Sequence, residues 1–427
     1  MIKFLLAGIL RDRSRSLFPI LTVFIGAALT VVMTGYIGGI LPDMIRLSSH
    51  MDAGHVKLMS QSFYENRHQM PLDLAMDNAD ELIEELEAQF PDMMWKARTR
   101  FGGLLDIPDE YGETRAQTTV AALSADLISP NSTELDYLNL TNSIVAGGLP
   151  KDPFDILIAK SMAESYDINV GDQVTLMTST VNGSMSFQNF KVAGMVVFGI
   201  AALDKGGAII TDLEGARMAL DMNGGSTEVL GFFKDDEYTS ERALAVTDWV
   251  NSNLKDVNDP YSPIALRLED SNEMAGMLQF AGSFIFIISA VFILIMFIVL
   301  WNSGLMNGLR RYGEMGLRLA VGEQKGHIYR SMLIESSIIG IIGTIFGTAF
   351  GLIGVWLLQE YGIDLGNMAS NTGDGIYYPN VIKGKIIPAC FYAGFIPGLI
   401  APFLGSLVSG RGIYKRQTAS LFKELET

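Results

Sequence analysis

The sequence is poor in the residues that carry covalent and metal chemistry. It has one cysteine, Cys390, and four histidines, His50, His55, His68 and His327, in 427 residues. A single cysteine excludes an internal disulfide, so any part outside the cytoplasm must be stable through its own core. Neither H-E-x-x-H nor G-x-S-x-G occurs, so no metal site and no catalytic residue is expected. His55 is expected to be a strand residue making a local hydrogen bond. G-x-x-x-x-G-K-[ST] is also absent, which excludes ATP binding and hydrolysis by this chain in the P-loop manner. Charge is scarce as well: 18% of residues are charged and 49% hydrophobic, too apolar for an ordinary soluble domain.

What the sequence does have is long apolar runs. Four of them, 17–41, 280–301, 332–358 and 386–408, are long enough to cross a hydrocarbon core of about 30 Å. None contains Asp, Lys or Arg, and the sole acid is Glu335, one turn into the third. Lys3, Arg11, Arg13 and Arg15 precede the first run as in a secretory signal. That run is too long for a signal core, however, and no small-x-small cleavage site follows it, so a retained anchor is expected. Residues 1–16 are expected to form a cytoplasmic or interfacial helix.

Charge asymmetry gives an orientation. Residues 42–275 carry 16 basic against 38 acidic side chains, whereas basic residues dominate the short segments elsewhere. The N-terminus, the 302–331 loop with Arg310, Arg311, Arg318, Lys325 and Arg330, and the 409–427 tail with Arg411, Lys415, Arg416 and Lys423 belong inside by the positive-inside bias. Both termini are then cytoplasmic, and 42–275 and 359–385 lie outside. The expected fold class is an α-helical membrane protein with four transmembrane helices and a large α+β extracytoplasmic domain between the first and second. The acidic exterior disfavours nucleic acid.

Within 42–275 the pattern is mixed. Residues 77–90 (DNADELIEELEAQF) place Leu82, Ile83, Leu86 and Phe90 at helical spacing, with acids in the first turn and Pro91 as a stop. Strands are expected at 103–107, 116–123, 173–177, 187–197 and 227–234, with Asn182-Gly183 as a hairpin signal, and helices at 157–166 and 240–254. Two subdomains are expected, the middle one inserted into the other.

Small residues recur every fourth position in two of the apolar runs: Gly26, Thr30, Thr34 and Gly38 in the first, and Gly343, Gly347 and Gly351 in the third. Such stripes allow close helix approach, within the chain or in a dimer. The second run is bulky, with Phe284, Phe286, Phe292 and Phe297, and is expected to face lipid or line an apolar cavity. In the cytoplasmic loop, Arg310, Glu314 and Arg318 stand four apart, so a short helix there would carry an alternating charged row. Gly316, Ala320 and Gly322 leave room for close approach, and Gly322 is a helix stop. Glu335 is either a functional intramembrane charge or a partner of Arg330 near the interface.

Arg311, Glu314, Gly316, Arg318, Ala320 and Gly322, followed by the Glu335 helix, resemble the cytoplasmic coupling segment of the FtsX-like permease family, whose pattern is R-x-x-E-x-G-x-x-R-A-x-G. Here Leu319 separates Arg318 from the alanine, a one-residue departure. Residues 157–220 are similar to ectodomains of the lipoprotein-releasing and macrolide-efflux branches, and 52–59 (DAGHVKLM) to a strand of the lipoprotein-releasing branch. The resemblance implies Porter-like residues 42–125 with 228–275 and Sabre-like residues 126–227. It also implies a bacterial inner-membrane ABC permease subunit that holds no cofactor itself. ATP and Mg would be bound by a separate cytoplasmic ABC ATPase dimer. A second permease subunit, identical or paralogous, a lipid-anchored or amphiphilic substrate and a periplasmic carrier would complete the system. Three functions stay open: release of lipoproteins or similar amphiphiles, a mechanotransmitting scaffold that activates a periplasmic enzyme, and efflux of peptides or antibiotics.

Overall fold

The computed structural model describes residues 13–198, 203–204, 207–256, 258–271, 274–364 and 381–415. Residues 1–12 of the expected N-terminal helix, most of the 359–385 loop and the tail from residue 416 lie outside them. In chain order a 36-residue helix, α1 (Arg13–Ser48), comes first and passes into a π-turn, Ser49–Ala53. Gly54 ends that turn at φ +60°, its N–H donating to the Ser49 carbonyl, a backbone conformation that glycine adopts without strain.

Ten strands and four helices of seven or more residues follow among the described residues, with shorter helical turns between them: β1 (Val56–Ser60), α2 (Ala79–Gln89), β2 (Met93–Pro108), β3 (Thr114–Ala125), β4 (Ile144–Gly147), β5 (Asp155–Ala159), α3 (Lys160–Tyr166), β6 (Gln173–Ser179), β7 (Met185–Val196), β8 (Ala208–Asp212), α4 (Leu213–Leu220), β9 (Glu228–Phe233), α5 (Ser240–Asn253) and β10 (Pro263–Arg267). The strand order is β10-β1-β9-β2-β3-β8-β5-β7-β4, with β6 pairing both β2 and β7. The 16-residue β2 belongs to two halves. Met93–Arg98 pairs with β9, and from Thr99 onward β2 pairs with β3.

Each half has its own core. On one side Leu82 and Leu86 of α2 and Ala243, Val246 and Val250 of α5 cover Val56, Leu58, Trp95 and Val229. On the other, Phe101, Leu105, Val174, Leu176 and Phe190 close over Met162, Ala216 and Leu220. The expected subdomain boundary at 125 falls at the end of β3, whereas the two cores meet along β2. The continuous hairpin carries β3 into the second core. The expected helix at 157–166 is replaced by a strand and a shorter helix. Ile156–Ile158 pair with both β7 and β8 and are fully buried, and a short apolar run does not distinguish a buried strand from a helix.

The remaining elements are helical apart from a two-stranded antiparallel ribbon of Ile363–Asp364 and Val381–Ile382: α6 (Met274–Leu309), α7 (Tyr312–Ala320), α8 (Lys325–Tyr361), α9 (Pro388–Ala393), a π-turn at Ile396–Ile400 and α10 (Ala401–Lys415). Pro397 supplies no N–H to the ladder, which accounts for the π-turn. The described residues divide into a sheet unit, within 43–278, and a helical unit built from 13–42, 279–364 and 381–415. Four segments are long and apolar enough to cross a membrane: Leu17–Ala53, Gly282–Ala320, Lys325–Tyr361 and Pro388–Arg411.

Both small-residue stripes meet helices of the same chain. A Cβ at Gly343 would meet Val23, at Gly347 the Phe24 carbonyl oxygen at 2.6 Å, and at Gly351 Val31, so α8 lies directly on α1. Gly26 faces Leu300 and Gly38 faces Ile387. Thr30 and Thr34 donate to the carbonyls of Gly26 and Thr30, which satisfies their hydroxyls inside the apolar helix. On α6, by contrast, Phe284, Phe286, Ile287 and Ile295 stay exposed. In a bilayer such a face meets lipid or another chain.

Candidate functional site

The charged loop between α6 and α8 is a short helix held on one side. Tyr312 and Met315 of α7 pack against Ile328 and Met332 of α8, and the Tyr312 hydroxyl donates to the Ser409 carbonyl of α10 at 2.5 Å. Gly313 and Gly316 are buried on the same face, where a larger side chain would hold the helices apart. Glu314 in the first turn and Arg318 in the last complement the helix dipole. Gly322, at φ +99°, ends the segment.

The expected charged row is divided by its partners. Arg310 lies in the turn before α7 and is exposed, and Glu314 is exposed on α7. Arg318 instead donates to Glu323 at 2.8 Å, and Glu323 contacts His327 at 2.6 Å, so one carboxylate staples the α7–α8 turn. The hydrogen bond from His327 and the charge of Arg318 hold the Glu323 carboxyl below its usual range. Arg311 pairs with Glu335, so the partner of the acid in the third apolar run is this arginine and not Arg330. Leu319, the departure from the family pattern, turns inward toward the α7–α8 core, while Ala320 is exposed. The outward ridge is then Glu314, Leu317 and Val321, with Leu317 54% and Val321 83% exposed. Beside it, Phe18, Pro19 and Thr22 of α1, Val299 to Asn307 of α6, and Arg310, Arg311 and Glu314 border a cleft of about 830 Å³.

The sheet unit holds a second charged constellation, where α1 ends. Arg98 and Lys57 are almost fully buried. Arg98 forms a two-pronged pair with Glu134, at 2.6 and 3.2 Å, and donates to the His50 carbonyl at 2.6 Å. Arg100 donates to the Met51 carbonyl at 2.7 Å and lies 2.9 Å from Asp52 and 3.3 Å from Glu228. Lys57 bridges the same two carboxylates at 3.3 and 3.0 Å. Three cations thus face three anions, and two of the cations cap carbonyls of the π-turn that continues α1. Cationic groups are favoured at a helix C-terminus.

His50 and His55 flank Asp236, at 2.8 and 3.8 Å. The Phe233 N–H donates to His55 Nδ1 at 3.0 Å, so the ring is a neutral acceptor at that nitrogen. Burial pushes the His55 pKa down to about 4, against the pull of Asp236. Burial would raise the Asp236 carboxyl, but the hydrogen bond and charge of His50 outweigh it and hold it low. None of these residues was expected as a site apart from the local hydrogen bond of His55. The sequence signal was a lysine inside the buried strand VKLMS and two arginines at alternate positions of β2.

Residues 286–418 match the model of the FtsX-like permease C-terminal family. The chain carries an FtsX-like permease domain. Among curated proteins, the chain is 24% identical over 213 residues to the lipoprotein-releasing system transmembrane protein LolC of Xylella fastidiosa (strain 9a5c), covering 48% of this chain and 49% of the relative. It is 22% identical over 265 residues to the uncharacterized ABC transporter permease protein Rv0987 of Mycobacterium tuberculosis, covering 61% of this chain and 28% of that one. The chain spans about half the length of the LolC relatives it matches. A solved structure, the periplasmic region of MacB from Actinobacillus actinomycetemcomitans, aligns with a TM-score of 0.35 at 11% identity, covering 52% of this chain and 92% of that one.

Proposed function

We propose that this chain is the membrane subunit of an ATP-driven permease of the bacterial inner membrane. A cytoplasmic ABC ATPase dimer on separate polypeptides grips α7, and a second permease subunit, identical or paralogous, completes the assembly. The resulting motion acts on lipid-anchored or amphiphilic substrates outside the cytoplasm, most closely the release of lipoproteins.

The observation that carries this reading is the two-sided character of α7. Its inner face is locked to α8 and α10 by Tyr312, Met315 and the Arg311–Glu335 pair, while Glu314, Leu317 and Val321 stand outward. A partner pushing on that ridge moves a rigid element joined to two membrane helices. An apolar anchor beside a charge is the composition of a protein docking point.

Charge reversal tests it. Glu314→Arg should reduce co-purification of the ATPase, or transport per ATP hydrolysed in proteoliposomes, by about tenfold or more, because like charges at an interface cost several kcal/mol and each 1.4 kcal/mol is about tenfold. Arg416→Glu, an equal change of charge in the tail, should have no such effect. Full transport by the Glu314 variant at normal expression, or equal failure of the Arg416 variant, would return these residues to plain topological anchors.

A further inference from the structure

The cleft beside α7 shares Glu314 and Leu317 with the outer ridge, but its α1 and α6 walls have a composition that ATPase docking does not use. Along α6 the cleft side carries Val299, then the polar Asn302, Ser303 and Asn307 with Met306 between the last two. Phe18 of α1 forms an apolar wall and is exposed. At the polar end stands Arg310, whose side chain is exposed and makes no ion pair or hydrogen bond with any described residue.

The depth fits a lipid. The apolar run of α6 ends at Trp301, and Arg310 lies nine residues further on, about 13 Å along the chain at helical rise, from where its long side chain reaches back to the headgroup layer while Asn302 and Asn307 stand within or close to that layer. Val299 and Phe18 lie at acyl-chain level. At about 830 Å³ the cleft falls within the size of ligand sites, roughly 300–1,000 Å³.

We infer that this cleft is a binding site for one anionic phospholipid of the surrounding leaflet. Its phosphate is held by the Arg310 guanidinium and the amides of Asn302 and Asn307, and a chain lies along Val299 and Phe18. A guanidinium offers a planar pair of donors that matches a phosphate, and the asparagine amides supply further donors where the helix leaves the hydrocarbon. Arg311, committed to Glu335, adds positive potential without being the ligand. Glu314 also lines the cleft and repels an anion placed beside it, so the headgroup sits toward α6. A lipid here would hold α1 and α6 together beside α7. Because Glu314 and Leu317 belong to both the cleft and the outer ridge, lipid retention is measured on the chain alone.

Native mass spectrometry of the full chain, without any ATPase, tests it. Delipidated protein is titrated with phosphatidylglycerol, with phosphatidylcholine, and with phosphatidylglycerol in the presence of inorganic phosphate. One phosphatidylglycerol should be retained in preference to phosphatidylcholine, and millimolar inorganic phosphate should not displace it. Arg310→Gln and Asn307→Asp should each lower that retention about tenfold, the scale of one charge-assisted hydrogen bond. Arg330→Gln, an exposed cation that does not line the cleft, should leave it unchanged. Equal retention of both lipids, unaltered retention by Arg310→Gln, or an equal loss with Arg330→Gln would overturn the site. Displacement by inorganic phosphate would overturn the leaflet as its source.

Discussion

Arg98 is the residue on which the end of α1 depends most. Its guanidinium is fully buried and satisfied by Glu134 and the His50 carbonyl, so removing either member of the ion pair leaves a charge uncompensated in the interior. Arg98→Met or Glu134→Leu alone should destabilise the sheet unit by about 3–5 kcal/mol, and the double variant by clearly less than their sum. Unfolding of the full chain in detergent, followed as a double-mutant cycle, measures this. An additive cycle would mean that the two side chains do not act as a pair. His55 makes an independent prediction with a definite sign. Its folded pKa, about 4, lies below the ordinary 6.5, so the unfolded chain takes up the proton first. The stability His55 contributes is fully present above about pH 6.5 and is lost as pH falls toward 4, with roughly 3 kcal/mol at stake. Asp236, held low by His50, acts in the same direction. His55→Asn keeps an acceptor for the Phe233 N–H and should flatten stability between pH 7 and pH 4.5. An unchanged slope would assign the acid sensitivity elsewhere.

At the scale of elements, glycine decides which helices touch. Gly347→Val would drive a side chain into the Phe24 carbonyl and Ala27 of α1, and should cost about 1–3 kcal/mol of packing. Gly282→Ala in α6, whose added Cβ meets only Leu41 at 4.0 Å, should be near neutral. Comparing the detergent melting midpoints of the two variants checks the α1–α8 contact; equal shifts would contradict it. The stripes were legible in the sequence because a period of four marks one helix face whatever its partner, but the partner itself was not. Likewise α2 was visible as an amphipathic pattern bounded by acids and Pro91, and β6 and β7 by the Asn182-Gly183 turn. β5 was hidden because a strand buried on both faces has no alternation. The cluster of Lys57, Arg98 and Arg100 was hidden for another reason. Glu228 is 171 residues from Lys57 along the chain, and only the sheet, through the β1–β9 and β2–β9 pairings, brings them together. Arg311 and Glu335 were each singled out, but their pairing depends on how α7 folds back on α8.

For the whole molecule, charge and hydropathy divide the chain much as the fold does. An acidic α+β unit rests on its own cores, and a helical unit of four apolar segments carries the permease domain at 286–418. No P-loop occurs in the chain, so on the proposed reading energy must arrive through a surface, and the exposed ridge of α7 is the one that the helical unit holds rigid from behind. The most direct measurement places a photo-crosslinking side chain at Val321, 83% exposed, in the full chain in its native membrane. Irradiation followed by identification of the adduct should yield a P-loop ATPase subunit, with the yield lost when Glu314→Arg is introduced. Adducts confined to lipid or to a second copy of this chain, or an ATPase adduct indifferent to Glu314, would contradict α7 as the point where ATP-driven motion enters.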